Sequence, residues 1–200
     1  MIPPMNPHLT VWITDLADTG VVLPLSALLV GLLWYLESAH SAWLFGRALL
    51  ACLITMAVLK VIFISCGHAM GSSINSPSGH TSLGMFFYGT VAILFWVKRP
   101  GIQGILASSA LALLVCAIAV SRLLLNAHNL PEVIVGGCVG ALALTLFAIP
   151  YLRQKHPSLK LKKLGLILVP VFILTYGTVL PAEQMLRQML PLFHMDICSA

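Results

Sequence analysis

Apolar residues run along this chain in blocks rather than in alternation. Six blocks, at about 19–36, 43–65, 80–97, 102–121, 131–151 and 164–181, approach the roughly 20 residues that a helix needs to cross a bilayer core of about 30 Å. The pattern predicts an all-α polytopic membrane protein, a bundle of six transmembrane helices forming one domain over 1–200. The first block is short and carries Pro24. Ahead of it, LTVWITDLADTG sets Leu9, Trp12, Ile13 and Leu16 at helical spacing. That suits a segment over 1–18 lying in the membrane interface, or an ordered tail. The amino terminus, MIPPMNPHLT, lacks the basic region of a secretory signal, so the first span is expected to stay in the mature protein.

Composition agrees. Hydrophobic residues make up 59% of the chain and charged residues 8%, against roughly 25% charged in soluble domains. So few charges cannot cover a water-facing surface, and the solvent for most of the chain is lipid.

The charges also give the bundle a direction. With the amino terminus outside, loops 37–47, 98–101 and 152–163 are cytoplasmic. They hold Arg47, Lys98, Arg99, Arg153, Lys155, Lys160, Lys162 and Lys163, eight of the eleven Lys and Arg residues. Cytoplasmic loops carry such an excess, which opposes the inverse arrangement. The net charge of +5 therefore reads as topology and not as a nucleic-acid surface, which needs a broad basic face. The five cysteines form no CxxC or other metal spacing. Cys52, Cys116 and Cys138 fall inside apolar runs, whereas Cys66 and Cys198 both fall on the outer side, which leaves a disulfide between them open.

Two cations break the charge rule. Lys60 and Arg122 lie at the outer ends of the second and fourth spans, where a charge costs up to roughly 2.5–3.5 kcal/mol at mid-span and less near the edge. His80 opens the third span and His128 and Glu132 open the fifth, all on that outer side. Alone, each has a bland reading: a snorkelling lysine, a helix-end histidine, an arginine anchored at headgroups. Together, three stretches of chain bring polar groups to one depth and one face.

Those groups suit phosphate chemistry. Ser78 and Gly79 precede a helix start, whose free N–H groups attract anions, and Gly79 lets backbone approach a ligand. Lys60 and Arg122 supply positive charge, the latter as a planar fork. One histidine can attack phosphorus while another protonates the leaving oxygen. Glu132, four residues after His128, shares its face if a helix spans both, and can orient the imidazole. Pro131 suits the first turn of that helix, and Gly136, Gly137 and Gly140 suit close helix contact.

Lys60, Pro77-Ser78-Gly79-His80, and Ser121-Arg122 followed after five residues by His128 resemble the motifs of the type 2 phosphatidic acid phosphatase superfamily. That group spans membrane lipid phosphatases, undecaprenyl pyrophosphate phosphatases, glucose-6-phosphatase and the soluble vanadium haloperoxidases. The resemblance covers roughly 55–145. It implies His128 as the nucleophile of a phosphohistidine intermediate, His80 as acid for the leaving group, and Lys60, Ser78, Gly79 and Arg122 around the phosphoryl oxygens. It implies no metal and no cofactor, a lipid phosphate or pyrophosphate substrate, and a site facing the periplasm from a bacterial inner membrane. Two positions depart from the pattern. Where the family follows its lysine with six residues and Arg-Pro, this chain has Gly67-His68, leaving His68 as a substitute phosphate ligand. Where the family has Asp after the second histidine, this chain has Glu132. A lipid phosphotransferase using the same site, or a lipid-phosphate binder or transporter without turnover, stays open beside the phosphatase. The headgroup and the oligomeric state are open as well.

Overall fold

The structure, a computed structural model, describes residues 7–66, 71–154, 161–180 and 182–189 of the 200-residue chain. The regular elements among them are helices: α1 (Pro7–Asp15), α2 (Thr19–Leu36), α3 (Ala39–Cys66), α4 (Gly79–Lys98), α5 (Ile102–Leu124), α6 (Leu130–Arg153), α7 (Leu161–Thr175) and α8 (Ala182–Met189). Short polar residues set several starts by taking N–H groups that the helix itself cannot satisfy. The Asp18 carboxylate accepts from Gly20 N at the start of α2, and the Ser78 hydroxyl accepts from Thr81 N at the start of α4. Asn129 and Glu132 form a capping box at the start of α6, with proline in its first turn.

Among the described residues, five stretches are long and apolar enough to cross a membrane: His8–Leu36, Ala39–Cys66, Gly79–Lys98, Ile102–Leu124 and Leu130–Arg153. These match the expected helical membrane bundle, with one difference at each end of the chain. The first stretch is broken by a turn at 16–18, which makes α1 a separate helix. The expected span at 164–181 is α7, only 15 residues long, with Pro170 inside it. At 1.5 Å per residue it reaches about 22 Å. Beyond Thr175 the chain turns at Gly177, whose φ of +80° suits a residue without Cβ.

Helix α4 is the centre of the bundle and packs on α2, α3, α5 and α6. Phe45 of α3 stacks on Phe86 of α4 at 5.1 Å and meets Phe147 of α6 edge-on at 5.9 Å, and all three are fully buried. On the outside, Leu50, Ile54, Val58 and Ile62 form an exposed stripe at every fourth residue of α3. Such a stripe is a lipid-facing surface rather than a core. Two glycines let α6 approach α4 closely. A Cβ on Gly136 would lie 2.3 Å from the Ser78 carbonyl oxygen, and one on Gly140 would lie 2.4 Å from that of Ser82.

The bundle has two chemically different poles, separated by the roughly 30 Å length of α4. At one, Glu37 Oε1 accepts from Lys98 Nζ (2.6 Å) and from the Tyr151 hydroxyl (2.8 Å). This ion pair is buried. Lys98, counted above as a topology charge, is thus held inside the protein. The other pole gathers the ends of α3 and α5, the starts of α2, α4 and α6, and the 176–180 segment.

Candidate active site

At this second pole lies a cavity of about 540 Å³. Lys60, Gly79, His80, Arg122 and His128 all line it, as do Asp18 and Glu183. The three stretches expected at one face therefore do meet there. Ser78 contributes differently: it is fully buried, its hydroxyl is 2.9 Å from that of Thr81, and it caps α4. What it offers an anion is the ordered first turn of that helix and not its side chain. His68 lies outside the described residues.

His128 is held from two directions. Its backbone N–H and that of Ala127 both donate to the Arg122 carbonyl, so the end of α5 folds back on itself. Asn126 makes this turn possible at φ +51°, a conformation that asparagine tolerates better than most residues. From the other side, Nδ1 of His128 lies 2.9 Å from Glu132 Oε2. The helix does not span both residues, as the four-residue spacing suggested. α6 starts at Leu130, and the Glu132 side chain reaches back over the cap to His128.

Glu132 is the organising carboxylate. Oε2 also accepts from Asn129 N (3.1 Å), and Oε1 accepts from Asn75 N (2.7 Å) and Ser76 N (3.1 Å). Its backbone carbonyl accepts from Ser78 N at 3.0 Å. One residue thus ties the nucleophile candidate to the loop that opens α4, and leaves Nε2 as the imidazole nitrogen available to the cavity. Burial holds the His128 ring below the ordinary imidazole pKa despite the Glu132 hydrogen bond, and the charges of Arg122 and Lys60 push in the same direction. The ring is accordingly neutral at pH 7, as a nucleophile must be.

The two cations are already engaged. Arg122 donates to Thr14 Oγ1 at 3.1 Å. Lys60 Nζ donates to Ser76 Oγ (2.8 Å) and to Glu183 Oε2 (2.7 Å), and Ser76 Oγ itself lies 3.0 Å from that carboxylate oxygen. Helix α8 therefore places an acidic group where an incoming anion would meet Lys60. A second carboxylate, Asp18, lies 3.3 Å from His80 Nε2. Sequence reading missed both Asp18 and Glu183. Their scarcity was the available signal, since the chain has only six acidic residues. Apolar side chains, among them Leu53, Met56, Leu83, Leu180 and Leu186, complete the walls.

The PAP2 superfamily model matches residues 62–156. That range contains the PSGH and SR-x5-H motifs and begins just after Lys60. The chain is 29% identical over 192 residues to a protein of Klebsiella pneumoniae described as an uncharacterized 22.5 kDa protein in the cps region, covering 88% of this chain and 87% of that one. No solved structure matches.

Proposed function

We propose that this chain, whose residues 62–156 match the PAP2 superfamily model, is a member of that superfamily and a metal-independent lipid phosphatase working through a phosphohistidine. The observation that carries this reading is the buried Glu132–His128 pair facing a cavity shared with Lys60, Arg122 and His80. In the reaction, Nε2 of His128 attacks phosphorus, the P–O ester bond breaks, and His80 gives its proton to the departing alkoxide. Water then attacks the phosphohistidine, His80 takes a proton from that water, and the P–N bond breaks to release phosphate. Lys60 and Arg122 balance the charge of the phosphoryl oxygens, the kind of electrostatic support on which phosphoryl transfer depends. The apolar walls suit a substrate whose tail remains in the membrane.

We place the site on the periplasmic side of a bacterial inner membrane. Two observations support this. Cys66, at the end of α3 nearest the cavity, is disulfide-bonded, which belongs in an oxidising compartment. Cys198, the partner left open from the sequence, lies outside the described residues. Arg47, Lys98, Arg99, Arg153, Lys162 and Lys163 lie toward the opposite pole, where cytoplasmic basic residues belong.

In detergent, the protein is expected to release phosphate from phosphatidic acid, a polyprenyl pyrophosphate or a related lipid with a chelator present. Orthovanadate, which adopts the five-coordinate geometry of the transition state, should inhibit. His128→Ala should abolish both turnover and phosphohistidine formation. Full activity in that variant, or lipid binding with no turnover in the wild type, would refute the assignment.

A further inference from the structure

We propose that Asp18 positions His80 for proton transfer, so that the site works through two carboxylate–histidine pairs, Glu132–His128 on the nucleophile side and Asp18–His80 on the leaving-group side. This rests on the phosphatase reading above and adds to it a residue from outside the matched region, which begins at residue 62.

The geometry fixes Asp18 tightly. Its side chain is 5% exposed. Oδ1 accepts from Gly20 N at 2.8 Å and from Leu180 N at 3.1 Å, so the start of α2 and the 176–180 segment together lock the carboxylate plane. Oδ2 is then directed to His80 Nε2 at 3.3 Å. His80, on the first turn of α4, lines the cavity with a 21% exposed side chain. Capping α2 needs only Oδ1. The second oxygen does something a cap does not require.

The consequence concerns which nitrogen moves the proton. With Nε2–H donated to a carboxylate, His80 transfers its proton from Nδ1. In the protonated ring both nitrogens carry hydrogen. When Nδ1–H passes to the departing alkoxide, as the P–O bond breaks and the P–N bond to His128 forms, the ring becomes the neutral Nε2–H tautomer, still bonded to Asp18. In the second half, Nδ1 takes a proton from the attacking water. The proton count closes, and Nε2 never leaves the carboxylate. This is the orienting logic of a third group behind an acid–base histidine.

Asp18→Asn isolates the idea. Asparagine caps helices as well as aspartate does, and its carbonyl oxygen can keep both N–H partners. The other atom becomes an NH₂ group, which cannot accept from Nε2–H. It donates to Nε2 instead and leaves a neutral ring with hydrogen only on Nδ1. That ring cannot give up a proton without becoming an imidazolate. The damage should therefore appear only where the leaving group needs a proton.

The experiment compares kcat/KM of the full chain in detergent on phosphatidic acid, which leaves as a basic alkoxide, and on p-nitrophenyl phosphate, whose phenolate leaves unprotonated. For Asp18→Asn the phosphatidic acid value should fall by about 10²-fold, the scale of general acid catalysis, while the aryl value stays within a few-fold. His80→Ala should show the same selective loss, and His128→Ala should lose both substrates. The ratio of the two values does not depend on how much of a sample is folded, so partial misfolding cannot imitate the result. Equal losses on both substrates, or no loss on either, would overturn the role of Asp18 while leaving the phosphatase reading intact. A wild type that turns over neither of these substrates nor a polyprenyl pyrophosphate would overturn that parent reading and this inference with it.

Discussion

Glu132 shows how much one side chain can organise. An aspartate there would be one methylene shorter and could not both reach back to His128 Nδ1 and receive the amides of Asn75 and Ser76 without moving α6. The departure from the family pattern thus fits a longer reach across the α6 cap. At this scale the pH profile is informative. Burial, with Arg122 and Lys60 close by, lowers the His128 pKa. In the proposed reaction protonation of His128 would occupy its attacking lone pair, so on the acid side activity is expected to fall only as the pH drops through that lowered value. The acid limb of log kcat/KM should therefore lie below the ordinary imidazole range, and a limb at or above it would contradict the electrostatics. The His128–Glu132 contact was legible in the sequence because two scarce residue types stand four apart. Its mechanism was not, since the spacing suggested a shared helix face and the capping box made the contact instead. Ser78 was expected beside the phosphoryl oxygens at a helix start, and the sequence could not say whether its hydroxyl caps that helix, as it does, or faces a cavity.

At the level of elements, the long apolar blocks matched α2 to α6 to within four residues at each end, because a lipid solvent demands continuous helices and leaves few alternatives. The carboxyl-terminal region was harder. Its apolar run from 164 looks like another span, yet Pro170 and Gly177 punctuate it, and α8 follows. Nothing in the spacing announced that Glu183 of α8 would reach Lys60, some 120 positions away. That contact makes α8 a competitor of the substrate. Removing its charge should help binding without altering chemistry. Glu183→Gln is expected to lower KM for a phosphate monoester about fivefold at constant kcat, equivalent to about 1 kcal/mol for a partly exposed ion pair. An unchanged or higher KM would mean that Glu183 assists the substrate instead.

Across the whole molecule, the two poles divide the work. The basic residues predicted an orientation, yet Lys98 is also a structural cation, buried against Glu37 with Tyr151 donating to the same oxygen. Removing one partner strands a charge, and such losses cost about 3–5 kcal/mol. Lys98→Met should thus lower the midpoint of thermal unfolding in detergent clearly, and adding Glu37→Gln should recover most of the loss. Similar midpoints for the single variant and the wild type would show that the pair is dispensable. Because this pole is remote from the cavity, the double variant should retain the wild-type kcat.

Gly136 carries a consequence for how the protein meets its surroundings. By resting directly on the Ser78 carbonyl, α6 moves as one piece with the turn that begins α4, and His128 travels with it. A thinner or thicker bilayer would then tilt the reacting groups jointly instead of pulling them apart, so turnover should be indifferent to acyl-chain length over the range in which the bundle stays folded.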